Sequence, residues 1–332
     1  MLCAGKHFFF IICYGYFMTK ISKRIDSPLV SVIIPAYNRA SFVMRAIDSV
    51  LCQTYKPVEI VVVDDGSQDG TGNLVTSLCQ AHGNIRYVRH DTNRGAQAAR
   101  NTGILAVRGD FIAFLDSDDE WLPDKLLRQM PLFTPSDERL GVVYAGYREI
   151  SPDGKHRDHL PKLRGDIYMA TLKRWVCDMN TIVVKKAVFD KSGLLNENIR
   201  AYQEWDMCIH LARHGTFDYI DDPLAIYHHH DSPTISKDLW LSALGYLDVV
   251  EAHQEEILKY CGYYALSRHY LAIGHHFMLA NRVAIGRDYF LKAFRHAPYN
   301  ILALTFFATS FLGYNHYRWL HRTKKRLSGK VL

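Results

Sequence analysis

Three short apolar runs, each broken off by a polar cluster, limit most sharply how this chain can fold. Residues 29–37 read L-V-S-V-I-I-P-A-Y before Asn38-Arg39. Residues 58–63 read V-E-I-V-V-V before Asp64-Asp65-Gly66-Ser67, and residues 111–115 read F-I-A-F-L before Asp116-Ser117-Asp118-Asp119. Continuous rather than alternating apolar strands fit a sheet covered on both faces. Between them lie stretches of helical period. Ser41 is placed to cap a helix in which Val43, Ala46, Ile47, Val50 and Leu51 recur; Leu74, Val75 and Leu78 mark a second, and Gly95 to Val107 a third. A short strand is expected at Ile85–Val88. Strand and helix alternating at this pitch predict an α/β fold with a mostly parallel, Rossmann-like sheet flanked by helices. Such sheets bind ligands at the carboxyl ends of their strands, where the polar clusters fall.

Charge is unevenly spread. From Tyr289 to the C-terminus there are eight Lys or Arg and no Asp or Glu, and the first 27 residues carry four basic groups against Asp26. Residues 28–288 hold the remaining 28 basic groups against 33 acidic ones. A mildly acidic body argues against a nucleic-acid partner, while basic ends suit an anionic membrane surface. The seven cysteines (Cys3, Cys13, Cys52, Cys79, Cys177, Cys208, Cys261) are odd in number and contain no C-x-x-C pair. They argue against a disulfide framework or a zinc site and for a reducing, cytoplasmic setting.

The chemistry concentrates after the third apolar run, where four acidic groups fall within five positions from Asp116 to Glu120. Crowded carboxylates repel, and a divalent cation relieves them. Hard oxygen ligands favour Mn2+ or Mg2+ over zinc. Asp64 and Asp65 are placed to accept hydrogen bonds from a base or ribose. No G-x-G-x-x-G follows the first strand, which excludes the usual dinucleotide turn and leaves a metal to hold phosphates.

Four linked segments, S-V-I-I-P-A-Y-N-R (31–39), V-V-V-D-D-G-S-Q-D-G-T (61–71), N-R-G-A-Q-A-A-R-N-T-G (93–103) and F-L-D-S-D-D-E-W (114–121), resemble the family 2 glycosyltransferases of GT-A fold. The likeness is dense over about residues 29–125 and looser to about 235. It implies transfer of a sugar from a nucleotide donor, usually a UDP-sugar, with inversion at the anomeric carbon. Pro35, Ala36, Tyr37, Asn38 and Arg39 would line the nucleotide pocket, with Asp65, and Asp64 beside it, meeting the uracil. Asn93, Arg94 and Arg100 would close over the donor. Asp116 and Asp118, flanking Ser117, would be the D-x-D pair, Asp118 the direct metal ligand. In A-Y-Q-E-W-D, Glu204 takes the position of the family's catalytic carboxylate and Gln203 replaces the acid before it. Asp206 is the next candidate base, or else the cap of a helix from Met207 to His214. Trp205 is expected to desolvate Glu204. Of His228, His229 and His230, the likeness favours His230 near the metal, a polar loop being the competing reading.

The partners implied are a nucleotide-sugar donor and a glycan or lipid-linked acceptor. A degenerate, non-catalytic sugar-nucleotide or partner-binding module is the rival. Residues 28–235 would form the catalytic domain, with the loop from Ser151 to Asp166 and Trp175 placed to select an acceptor. Residues 236–300 turn helical, and Tyr263–Asn300 resembles one tetratricopeptide-like hairpin with small residues at Gly274 and Ala284. One such repeat does not stand alone, so it packs on the catalytic domain or forms a homodimer contact. Residues 1–27 form an extension whose apolar run Phe8–Met18 is too short to span a bilayer; Met18 itself reads as an alternative start. In the tail, 301–332, apolar Ile301–Gly313 precedes Tyr314, Tyr317, Trp319 and the basic string His321–Arg326. That is the layout of a segment lying on the inner membrane face, set against a terminal helix packed on the domain.

Overall fold

The computed structural model describes residues 27–230 and 237–319. The extension before Ser27, with Phe8–Met18, and the basic string of the tail lie outside the described residues. Among the described residues nine strands form one sheet: β1 (Val30–Ala36), β2 (Val58–Asp64), β3 (Ile85–Arg89), β4 (Phe111–Phe114), β5 (Glu120–Trp121), β6 (Leu140–Ile150), β7 (His156–His159), β8 (Val183–Lys185) and β9 (Thr216–His228). The order is β3-β2-β1-β4-β8-β6-β9-β5, with β7 pairing β6. The expected α/β sheet is present. Its first four strands are mutually parallel, Val30 opposite Val58 and Phe111. Beyond β4 the pairing turns mixed, β8 running antiparallel to β4 and β6, and β9 parallel to β6. β7 occupies part of the Ser151–Asp166 stretch, which is therefore not wholly loop.

The helices of the sheet layers are α1 (Val43–Leu51), α2 (Thr71–Ala81), α3 (Ala96–Ala106), α4 (Lys125–Gln129), α5 (Tyr168–Thr171), α6 (Lys186–Ser192) and α7 (Gln203–Ala212). α1 buries Val43, Ala46, Ile47 and Val50 as its periodicity requires, but Phe42, not Ser41, occupies its cap position. α7 begins at Gln203, so Asp206 stands inside its first turn and caps nothing; the helix expected over 207–214 starts four residues earlier.

The longer helices that follow are α8 (Leu239–Ala252), α9 (Gly262–Leu279), α10 (Val283–His296) and α11 (Ile301–Thr309), with a short helical turn at Gln254–Glu256 and a π-helical turn at Ile257–Cys261 between α8 and α9. Asp238 caps α8, its side chain accepting from the Trp240 and Leu241 amides. The hairpin read from Tyr263–Asn300 is α9 and α10. Its close crossing is between Gly274 and Gly286, where a methyl on Gly274 would lie 2.5 Å from the Phe290 ring. Ala284 is instead exposed. This appendage shares one core with the sheet layers: Leu172, Ile199, Trp205 and Ile209 pack with Val249, Leu266, Ile273 and Phe277.

The tightest junction is Gly245 on α8, where an added Cβ would sit 2.4 Å from the Ala201 amide nitrogen. Backbone cannot swing aside as a side chain can. Gly245→Ala is therefore expected to destabilise the fold by roughly 1–3 kcal/mol, read as a lower midpoint in urea unfolding.

Candidate active site

A cleft of about 900 Å³ opens at the carboxyl ends of β1, β2 and β4, within the range usual for small-molecule sites. Its first wall is the turn after β1. Asn38 adopts φ 51 there, its side-chain oxygen accepting from the Gln68 amide at 2.9 Å. The amides of Asn38, Arg39 and Ala40 donate to Ser67, Thr71 and Asp69. The S-Q-D-G-T segment thus pins the loop that carries Tyr37 and Arg39. Gly66 is required between them: its φ is +79, and a Cβ would meet the Thr92 carbonyl carbon at 2.8 Å.

Asp65 forms the back of the cleft. Its carboxylate accepts from the Arg94 and Gly95 amides at 2.9 and 2.7 Å and from His90 Nδ1 at 2.7 Å. It therefore fixes the segment from Asn93 to Gly95 against the sheet. Asp64 does not line the cleft. It is fully buried, accepts from the Ser67 amide and the Tyr87 hydroxyl, and is a structural anchor. Arg94 also stays off the cleft wall; its side chain lies near Glu197 at 3.9 Å.

The floor is acidic. Among the described residues, Asp65, Asp116, Asp118, Asp178 and Glu204 line the cleft against two guanidinium groups, Arg39 and Arg100. Arg100 is buried and donates to Asp116 Oδ1 at 2.6 Å, to Gln97 and to Gln203 Oε1 at 3.2 Å. One cation thus joins the D-x-D turn to the start of α7. Burial raises the Glu204 carboxyl above its ordinary range, with Arg100 pulling it down and Asp116 pushing it up. Asp178 is pushed up to about 7 by desolvation first and then by the Glu204 and Asp116 charges. Asp119 faces inward, accepting from the His228 amide and Asn180 Nδ2; burial and its acidic neighbours hold it well above the usual range. It supports the turn and does not enter the cleft.

Asp118 Oδ2 lies 2.9 Å from His230 Nε2 and 3.5 Å from Arg39 Nε. The His230 ring stacks on Phe42, and its buried Nδ1 has no partner among the described residues. A carboxylate oxygen and an imidazole nitrogen this close are a pair of donors that fits a divalent cation, while Asp116, held by Arg100, does not close with them into a three-ligand cluster among the described residues. His230 sits behind Asp118 and does not itself line the cleft.

Two expectations on α7 are corrected. Asp206 points away from the cleft; it is 1% exposed and bonds His253 Nε2 at 2.7 Å, so it has no access to a substrate. Trp205 does not cover Glu204: its ring packs on Tyr246 and His269, and its Nε1 donates to the Thr171 carbonyl. Successive helical residues diverge, which separates Glu204 from both.

Sequence reasoning missed Asp178, Asn180, Tyr202, Tyr227 and Ser242. Asn180 accepts from the Asp116 amide and donates to Asp119, holding the acidic turn. Its only signal was a polar D-M-N-T placed just ahead of an apolar run. Tyr202 precedes Gln203 at φ 60, a conformation few non-glycine residues adopt. Ser242 brings the helical appendage into the cleft wall.

Residues 31–192 match the family described as Glycosyl transferase family 2. An uncharacterized glycosyltransferase of Rickettsia typhi is 31% identical over 239 residues, covering 70% of this chain and 72% of that protein. The putative teichuronic acid biosynthesis glycosyltransferase TuaG of Bacillus subtilis is 31% identical over 221 residues, 65% of this chain and 84% of its own length. Against longer glycosyltransferases of Rickettsia felis, conorii and bellii the match spans only about a third of their length. Among solved structures, S. aureus TarS 1-349 in complex with UDP-GlcNAc has a TM-score of 0.59 at 16% identity, covering 90% of this chain and 91% of that one. The mannosyltransferase PcManGT from Pyrobaculum calidifontis, in complex with GDP-Man and Mn2+, has a TM-score of 0.55 at 18% identity, covering 97% and 95%. At such identities these two bear on the fold alone. The chain belongs to glycosyl transferase family 2, and its α/β sheet with flanking helices is the GT-A fold.

Asp178 gives the site a pH signature. Its folded pKa of about 7 exceeds the ordinary carboxylate value of 3.8, so between about pH 4 and pH 7 the folded protein keeps a proton that the unfolded chain has lost. Wild-type stability therefore falls as pH rises through that window. Asp178→Asn removes the penalty and keeps an acceptor for the Asn180 amide. In EDTA, thermal unfolding of the variant should match wild type near pH 4. By about pH 8 it should be more stable by on the order of 1–3 kcal/mol, a figure reduced for the side of the group that meets the cleft.

Proposed function

We propose that this chain transfers a sugar from a nucleotide-sugar, most simply a UDP-sugar, to a hydroxyl of a glycan or lipid-linked acceptor in surface polysaccharide synthesis. The observation that carries the reading is the paired arrangement of Glu204 and the Arg100–Asp116 floor in one cleft whose carboxylates outnumber its guanidinium groups. TuaG supports the product class, and two proteins that share the fold were solved with UDP-GlcNAc and with GDP-Man.

A diphosphate would be repelled by this cleft on its own. Asp116 and Asp118, with His230 behind them, would hold a Mn2+ or Mg2+ ion, which when bound supplies the positive charge that a departing diphosphate needs. The rest falls to the chain's own side chains. Tyr37, 42% exposed at the mouth, offers a ring for the base to stack on. Arg100 holds Gln203 and Asp116 in register, and Glu204 would then stand across from the donor. The acceptor oxygen forms the new bond to the anomeric carbon as the bond to the diphosphate breaks. Its proton passes to Glu204 and the electron pair leaves with the diphosphate. Attack from the face opposite the leaving group inverts the anomeric centre. A carboxylate whose proton affinity is raised by burial is a better proton acceptor than an exposed one.

The separation of binding from chemistry is the test. In calorimetry with manganese, wild type and Glu204→Gln should bind UDP equally. The variant's turnover should fall by about 10²-fold or more, as loss of a general base does. Wild-type turnover in that variant would move the base to Asp178. Failure of UDP to bind under any metal condition would favour a non-catalytic module.

The tail bears on the acceptor. No helix among the described residues is long and apolar enough to cross a membrane. α11 docks through Ala303 and the Phe290–Phe306–Tyr317 ring cluster, yet leaves Ile301, Leu302, Leu304, Phe311 and Leu312 facing outward. With the basic string next in sequence, that face suits an anionic bilayer holding a lipid-linked acceptor. Leu302→Glu with Leu304→Glu is expected to abolish co-sedimentation with vesicles containing anionic phospholipid while leaving the unfolding midpoint unchanged.

A further inference from the structure

On the far side of α7 from the cleft, three metal-type ligands converge. Asp206, His210 and His253 each offer one atom, all within 4.8 Å of one another. Asp206 Oδ1 lies 2.7 Å from His253 Nε2 and 3.7 Å from His210 Nε2. Asp206 and His210 are four residues apart, which sets both on one helical face. His253 comes from the end of α8, across the junction with the appendage.

Two further observations point to a ligand. The second carboxylate oxygen of Asp206 is buried with no hydrogen-bond partner, in a residue 99% withdrawn from solvent. The outer nitrogen of His253, Nδ1, meets Glu256 Oε2 at 3.1 Å, and Glu256 accepts in turn from the Tyr168 hydroxyl at 2.7 Å. Donation from His253 Nδ1 to Glu256 leaves Nε2 free to coordinate, whereas acceptance from Arg213 at the same nitrogen would put the proton on Nε2 and oppose a metal. Arg213 also faces the cluster, 3.3 Å from His210 Nδ1 and 3.1 Å from His253 Nδ1, and is paired with Glu256. With both imidazoles neutral, two carboxylates against one guanidinium leave a net negative charge beside the bare oxygen. His210 is the half-exposed member and gives a route in from solvent.

We propose that Asp206, His210 and His253 form a second divalent-metal site, of the Zn2+ or Co2+ class, that ties α7 to the helical appendage. Two imidazoles and one carboxylate select borderline-soft ions, whereas the D-x-D turn with its oxygen donors selects harder ones. Water completes the coordination through the side on which His210 is open. Binding releases whatever proton His253 shares with Asp206. The helix so clamped begins at Gln203 and Glu204, so the ion steadies the cleft from behind without touching substrate.

The proposal is independent of the glycosyl-transfer reading, and its test needs no turnover. The full chain carrying Asp118→Asn, which silences the cleft ligands, is stripped with EDTA and titrated with Co2+ while its visible absorption is followed. One saturating equivalent with a tetrahedral or five-coordinate spectrum is expected. Adding His210→Gln, at a half-exposed position that tolerates change, should weaken Co2+ affinity at least about tenfold and alter the spectrum. Glu256→Gln should weaken it by roughly 10-fold with the spectrum kept, as loss of an outer partner does. A thermal-shift control on each variant establishes that it is folded. Absence of a cobalt spectrum in the folded Asp118→Asn chain, or equal affinity with and without His210, would overturn the site and leave Asp206–His253 as a buried hydrogen-bonded pair.

Discussion

A single buried guanidinium makes the cleft possible. Arg100 reaches from α3 to Asp116 on the β4 turn and to Gln203 at the head of α7, three elements far apart in sequence. Asp116, Asp178 and Glu204 crowd together around it, and each carboxylate raises the cost of ionising the next. The cation offsets part of that cost, and planar, forked donors let one side chain satisfy partners in different directions. Its Nε stays without a partner, so the arrangement is geared to charge rather than to complete hydrogen bonding.

Around that centre the motif residues divide into two kinds of work. Tyr37, Arg39, Asp116 and Asp118 present themselves to the cleft. Asp64, Ser67, Asp69, Thr71 and Asp119 turn inward and hold the loops that do so. Both kinds recur in a linear motif with equal weight, because a loop that must be placed within a hydrogen bond's tolerance needs its anchors as much as its tips. The glycine after Asp65 belongs to the second kind, since only it fits between the loop and the Thr92 backbone.

How much could be read beforehand follows from this division. β1 to β4 and α1 to α3 were legible because each is a local pattern with a local stop. Arg100, Asp116, Asp118 and Glu204 were legible because they sit at strand ends or in a linear motif. Asp178 and Asn180 were not, since what brings them to the acidic turn is the antiparallel pairing of β8 with β4, a contact 64 residues apart for the Asn180–Asp116 bond. Asp206 was misread for a related reason. On a helix, two residues' separation is enough to turn a side chain to the opposite face, and only the packing of α8 reveals which face is the cleft. Asp64 and Asp65 make the same point on a strand, where neighbours alternate between core and edge.

Ser242 and Trp205 share a meaning beyond their contacts. The appendage supplies a side chain to the cleft wall, and the helix that starts with Gln203 and Glu204 lends its indole to the appendage's core. A boundary drawn near residue 235 therefore divides the sequence but not the folded body. Exchange of C-terminal regions between relatives of this chain would be costly unless α7 changed with them. Divergence in what is glycosylated should accordingly be inherited as a linked block, with the helices after the sheet and the head of α7 moving together.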